Sequence, residues 1–256
     1  MQIPVSVLLS QWTPEHLQAL FAHSPQHAAA AARVLALEGI AQAQLCYGRM
    51  LLEGTGTHED KKEAFAWFVR AAAQGDFDAL NMMGRCHENG WGTPVDFAEA
   101  ASYYHRAAGA GHAWAQYNLG HLYLDGNGVQ RDPCQAYRYY LSAAEQRHER
   151  AMNLVGRCCE EGWGTPRDPV AAAVWYRRSA EAGYFRGQYN WASILLRCGR
   201  EDEARVWLER AAQGGTASVR HAVMKLSEAG SVYRPETFGS HRRMNRFDKS
   251  SSQGRS

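Results

Sequence analysis

The sequence matches itself at a shift of 36 residues, and this recurrence restricts the chain to a stack of similar units. Gly48, Gly84, Gly120 and Gly156 fall in phase. So do Gly54, Gly90, Gly126 and Gly162, then Gly56, Gly92, Gly128 and Gly164. Asp60, Asp96, Asp132 and Asp168 follow, with Ala64, Ala100, Ala136 and Ala172 behind them. Each unit closes on an aromatic, Trp67, Tyr103, Tyr139 or Trp175, and then a small pair. A unit this short cannot bury its own apolar face, so its neighbours must supply the opposing wall.

The pattern decays at both ends. A fifth copy runs from about Gly187, with Ala192 at the helix-glycine position and a shorter loop before Ala204 and Trp207. Upstream, Ala28 and Gly39 continue the phase, so residues 25–38 are expected to form the second helix of an atypical first unit. Downstream, residues 217–229 read as one more first helix, ended by Gly230.

Within a unit, Ala43, Tyr47, Met50 and Leu51 have helical spacing, and a glycine able to take the left-handed stop conformation follows. The second helix is predicted to start at the in-phase aspartate, whose carboxylate can accept an orphan backbone N–H. Asp60 with Glu63, Asp96 with Glu99 and Asp132 with Gln135 have capping-box spacing, while Pro133 and Pro169 occupy the first helical position. A glycine inside a helix costs about 1 kcal/mol relative to alanine, so Gly48 and its copies predict a close partner helix. The closing Ala-Ala pair is expected to face that glycine. The aromatic at Trp67 and its copies is expected to fill the space between units.

The phrase AQYNLGHLYLDGNGVQRDPCQAYRYYLSAAE at 115–145 closely resembles the Sel-one-like repeat, a relative of the tetratricopeptide repeat with a longer inter-helix loop. Four full and three partial copies cover about residues 14–230. Departures are Arg147 in place of a closing glycine, Ala192, the short fifth loop and the unmatched tail. The resemblance implies an all-α fold: a right-handed α/α superhelical solenoid of 36-residue helix-turn-helix repeats. Its expected organisation is N-terminal helices and a degenerate first repeat over 1–40, repeats with a C-terminal capping helix over 41–230, and a basic disordered tail over 231–256. The resemblance also implies an adaptor that binds a protein or peptide on a concave surface lined by first helices. Some secreted, disulfide-rich relatives have been linked to β-lactam hydrolysis, so the resemblance leaves a hydrolase of β-lactam or cell-wall-type substrates as an alternative. This chain lacks their regular cysteine pairs.

On the first helices, positions spaced i, i+4, i+7 share a face. They read Leu45, Arg49 and Leu52, then Asn81, Arg85 and Glu88, then Tyr117, His121 and Leu124, then Asn153, Arg157 and Glu160, then Tyr189 and Ser193. Asn and Arg suit a peptide backbone or a carboxylate, and Tyr supplies rigid contact area. The competing reading is a solvated face with intrahelical pairs such as Arg85 with Glu88. Trp91 and Trp163 occupy equivalent loops, where they serve either as interface anchors or as lids over the core.

The chain's net charge of +2 conceals an asymmetry. Residues 231–256 carry a net +4, which leaves −2 on the rest, so only the tail suits nucleic acid. Arg242, Arg243 and Arg246 with Phe247 would serve weak binding of that kind. The amino terminus lacks a basic n-region and a cleavage signature, and no apolar stretch is long enough for a bilayer. A cytoplasmic protein with reduced thiols and no membrane partner is expected. Cys86-His87 and Cys158-Cys159 lie two units apart, too far for one zinc site. No HExxH, phosphate loop or GxSxG is present. The sequence therefore assigns no catalytic residue, metal or cofactor.

Overall fold

The caps that the sequence predicts are in place. In the computed structural model, which describes residues 24–217 with 220, 221, 223 and 224, Asp60 accepts from the Glu63 N–H at 2.9 Å. Asp96, Asp132 and Asp168 each accept two N–H groups of the turn that follows, at 2.9–3.0 Å. First helices end on Gly54, Gly90, Gly126 and Gly162, all left-handed. These stops and starts give eleven α-helices among the described residues: α1 Pro25–Leu37, α2 Ala41–Glu53, α3 Lys61–Ala73, α4 Phe77–Asn89, α5 Phe97–Gly109, α6 Ala113–Asp125, α7 Pro133–Glu145, α8 Glu149–Glu161, α9 Pro169–Glu181, α10 Phe185–Arg197 and α11 Glu201–Gly214. No strand occurs among those residues. The first 23 residues, the end of the expected capping helix and the basic tail lie outside them.

The chain divides into two compact units. In the first, which holds the described residues to Leu122 and Gly126–Gln130, each of α1 to α4 packs on the next. Its core runs from the small stripe Ala28, Ala29, Ala32 and Ala36 through Leu51, Phe68 and Ala71 to Met83 and Cys86. In the second, Tyr123–Asp125 and Arg131 onward, each of α7 to α10 packs on the next and α8 also touches α10. One core cluster there joins Tyr184, Tyr189, Ala192, Leu195, Ala204 and Leu208.

The helix glycine does mark a close approach, but its partner differs from the expected Ala-Ala pair. A Cβ added at Gly84 would lie 2.5 Å from the Tyr104 ring, and at Gly156 2.7 Å from the Tyr176 ring; at Gly48 it would meet Phe68 at 2.6 Å. Phe68, Tyr104, Tyr140 and Tyr176 are fully buried. The preceding aromatics Tyr103, Tyr139 and Trp175 are only half-buried, and Trp67 alone of that series is buried. Adjacent helical residues point about 100° apart, so one position decides which ring enters the core. Where the glycine becomes Ala192, the ring becomes Leu208, and both lie in the same cluster. The methyl group added on one helix is offset by bulk removed from the other.

The second loop glycine joins one hairpin to the one before it. A Cβ at Gly92 would collide with the Lys61 carbonyl, at Gly128 with Phe97 and at Gly164 with that of Pro133, in each case at the start of the preceding second helix.

Gly84→Ala is expected to destabilise by roughly 1–2 kcal/mol, because ring overpacking outweighs the gain in helix propensity. Combined with Tyr104→Leu it should cost clearly less than the sum of the single changes, as read by urea unfolding. Additive costs would mean that the ring does not sit against the glycine. Arg147 is the one non-glycine residue of positive φ among those described, at 66°. Arg147→Gly should raise the unfolding free energy by about 1 kcal/mol.

Candidate functional site

The expected stripe lies on α2, α4, α6, α8 and α10, but it is not a uniformly solvated face. Its first positions, Leu45, Asn81, Tyr117, Asn153 and Tyr189, are all buried. Arg85, Glu88, His121, Arg157 and Glu160 are half-buried. Leu124 and Ser193 are buried, and the Ser193 hydroxyl donates to the Tyr189 carbonyl at 2.9 Å.

Burial of an asparagine requires a partner. In the first unit Asn118 donates its amide N–H to Asn81 Oδ1 at 2.9 Å. In the second unit Asn190 donates to Asn153 in the same way, at 2.8 Å. Each pair retains the NH₂ of one amide and the carbonyl oxygen of the other, and none of these atoms is a buried orphan. The remaining donor is on a buried residue, Asn81 or Asn153, and the remaining acceptor on a half-buried one, Asn118 or Asn190. Helical spacing on the first helices picks out Asn81 and Asn153 but not Asn118 and Asn190. The signal was there: asparagine at one position is matched by asparagine 37 residues on, whereas Leu45 is matched by Met82.

The carboxylates have structural work. Tyr104 donates its hydroxyl to Glu88 at 2.8 Å, and Tyr176 donates to Glu160 at 2.7 Å. Burial first, and then the adjacent carboxylate, holds both phenols far above their ordinary range. The Arg85 guanidinium lies 5.0 Å from the Trp91 ring centre, and that of Arg157 lies 4.8 Å from Trp163. Trp91 also packs on the core of its unit. The stripe and the loop tryptophans, read separately in the sequence, are therefore brought together as stacked pairs.

At the amino ends of the first helices, Asp78 lies 3.4 Å from Arg49 and 3.2 Å from His112. The His112 hydrogen bond is the main reason that the Asp78 carboxyl sits below its usual range, with partial burial opposing it. Trp114, 38% exposed, meets Tyr117 edge-on at 6.0 Å, and Tyr117 meets His121 at 4.7 Å. Trp114 belongs to the same face, three residues before Tyr117, and was not among the expected residues.

Six free thiols occur, two of them exposed at Cys134 and Cys198. Burial pushes Cys86 and Cys158 up to about 12, against the pull of the neighbouring Arg85 and Arg157. Protonated, enclosed thiols are poor nucleophiles and poor metal ligands. His58, Asp60 and Glu63 bring ligand atoms within 4.8 Å of one another. Both acids already have tasks, Asp60 as helix cap and Glu63 as acceptor from the Trp67 indole at 3.2 Å. Among the described residues no helix is long and apolar enough to cross a membrane. Arg242, Arg243, Arg246 and Phe247 lie outside those residues.

The Sel1 repeat pattern matches residues 39–76, 77–112, 115–148, 149–184 and 186–216. Among solved structures, the chain is similar to a Sel1 repeat protein from Oxalobacter formigenes, with a TM-score of 0.70 and 28% identity over 80% of this chain and 90% of that one. It is similar to c5321, a protective antigen present in uropathogenic Escherichia coli strains that displays an SLR fold, with a TM-score of 0.66 and 25% identity. That match covers 94% of this chain but 55% of the antigen. A Sel1 repeat protein from Klebsiella pneumoniae shares the fold at a TM-score of 0.54 and 21% identity, over 78% of this chain and 99% of that one. No curated protein matches the chain.

A maleimide added to the native protein at neutral pH should modify Cys134 and Cys198, with Cys86 and Cys158 reacting only in denaturant. Peptide mass mapping reads the pattern, and native labelling of Cys86 or Cys158 would contradict the burial described above.

Proposed function

Because the chain belongs to the Sel1 repeat family, whose members generally mediate protein–protein interaction, we propose that it is a scaffold or adaptor. It holds an extended segment of another protein against the exposed side of its first helices. One observation carries this reading: the amide pairs Asn81 with Asn118 and Asn153 with Asn190. Each offers a donor beside an acceptor, the complement of a peptide group. Backbone recognition of this kind tolerates many sequences and leaves specificity to neighbouring side chains. Packing does not demand asparagine here, since the chain itself places Leu45 and Met82 at the equivalent positions. Arg85 and Arg157, fixed over Trp91 and Trp163, and Tyr117 and His121 beside Trp114 flank the amides as further contact area. Family members are typically scaffolds rather than enzymes, which supports binding over hydrolysis. The free thiols support a reducing compartment such as the cytoplasm.

Replacing both members of a hydrogen-bonded pair by apolar groups of similar size is close to neutral for stability. The variant Asn81→Leu, Asn118→Leu, Asn153→Leu, Asn190→Leu should therefore melt within a few degrees of the wild-type chain. It should fail to retain a partner identified by mass spectrometry and rebound as pure protein. Retention at undiminished affinity by this folded variant would remove the amide pairs from the binding face.

A further inference from the structure

The loop that leads from α2 into α3 differs from its copies in the side chains it presents. His58, Asp60 and Glu63 bring one imidazole nitrogen and two carboxylate oxygens within 4.8 Å of one another. The equivalent trios are Pro94, Asp96 and Glu99, then Gln130, Asp132 and Gln135, then Pro166, Asp168 and Ala171. The aspartate recurs because it caps a helix. The imidazole occurs in one copy, and there it meets two acids.

The structural tasks of the two acids occupy one oxygen each. Asp60 accepts the Glu63 N–H on Oδ1 at 2.9 Å, and Glu63 accepts the Trp67 indole N–H on Oε1 at 3.2 Å. Neither bond uses Asp60 Oδ2 or Glu63 Oε2. The bonds that are made hold both carboxylates in direction, as outer hydrogen bonds do for the ligands of a metal. Asp60 is also turned differently from its copies, since it accepts one N–H of its helix where Asp96, Asp132 and Asp168 accept two. The cap that is turned is the one with a histidine two residues before it.

We infer that His58, Asp60 and Glu63 form a site for a zinc-type divalent ion, which fastens the loop between α2 and α3 to the start of α3. One nitrogen and two carboxylate oxygens suit Zn²⁺ or its neighbours Co²⁺ and Ni²⁺, whereas Mg²⁺ and Ca²⁺ take oxygen shells. Three protein ligands leave the fourth corner of a tetrahedron to water. Zinc bonds of about 2.0–2.2 Å put tetrahedral ligand atoms roughly 3.4 Å apart, so the set has to contract by about 1 Å. His58, exposed and in the loop, can supply that movement while both acids keep the bonds already described. Residues 58–63 hold three acids against two lysines, a net −1, and Lys61 is paired with Glu59 at 2.9 Å. That negative charge exceeds the roughly +0.5 at the start of a helix, so a cation is attracted. The site shares no residue with the amide pairs and does not rest on the scaffold role proposed above.

The test uses the full chain, freed of metal by dialysis against a chelator, with Zn²⁺ and Mg²⁺ each titrated by calorimetry. Other histidines and the exposed thiols Cys134 and Cys198 also take Zn²⁺, so the reading is the single equivalent that a variant removes. His58→Ala should lose that equivalent. Asp60→Asn and Glu63→Gln keep an oxygen for the α3 N–H and for the indole, so both should melt like the wild-type chain. Their zinc affinity at this site should nevertheless fall at least about tenfold. Saturating Zn²⁺ should raise the melting temperature of the wild-type chain further than that of His58→Ala. An unchanged zinc stoichiometry in folded His58→Ala overturns the inference, as does undiminished affinity in folded Glu63→Gln. Mg²⁺ binding as tight as that of Zn²⁺ also overturns it, because two hydrated carboxylates would then account for the site. Failure of Zn²⁺ to bind the wild-type chain rejects it outright.

Discussion

A buried ring seated against a helix glycine sets the spacing on which the hairpins depend. Without a Cβ at position 84 or 156, the ring of Tyr104 or Tyr176 lies directly on the backbone of the facing helix. Interiors pack at crystal density, so no slack exists to absorb a methyl group there. The one copy that carries the methyl, Ala192, carries Leu208 in place of a ring. Hairpin spacing is therefore a property of the pair rather than of either residue. That spacing also brings Asn81 near Asn118, and Asn153 near Asn190, since each amide pair joins two successive first helices.

The same rings govern the stripe beside them. A phenol enclosed in a core needs an acceptor, and Glu88 and Glu160 supply it. Phe68 has no hydroxyl, and the equivalent position on its facing helix is Leu52, an apolar residue of its core. Glu88 and Glu160 are thus bonded from inside the hairpin, although in the sequence they look like surface carboxylates available to a partner, while the equally buried Tyr140 has Leu124 at that position. The asparagines are different, because nothing in the core asks for them.

Most of the hairpin architecture was legible in the sequence because its signals are local. An aspartate that caps, a glycine that stops a helix and a recurrence of 36 residues each act within one turn or one unit. What escaped was whatever depends on a side chain's direction. Trp67 and Phe68 are neighbours in sequence, and only the packed structure reveals which of their copies enters the core. The face holding Asn81, Arg85 and Glu88 was correctly grouped by helical spacing, yet spacing could not reveal that its first member is enclosed and its last is bonded to a core tyrosine. Arg85 and Trp91 were read as separate candidates because a loop residue has no helical phase, and the stacking between them appears only in three dimensions.

Alternate repeats thus share the work unequally. Position 81 and its copies alternate asparagine with Tyr117 and Tyr189, and the amide, the tyrosine–glutamate bond and the stacked arginine–tryptophan pair recur together two repeats apart. A set that recurs as a block is more economically explained by one shared task than by separate local needs, since each member touches a different part of the hairpin. Within that block the glutamate serves the core and the tryptophan covers it. The remainder is the amide pair with its arginine, and the residues one turn before it are where the two copies diverge, Asp78 and Trp114 against Arg150 and Arg186. In the binding role proposed above, common chemistry at the centre with different chemistry at the edge would give the two copies different side-chain preferences.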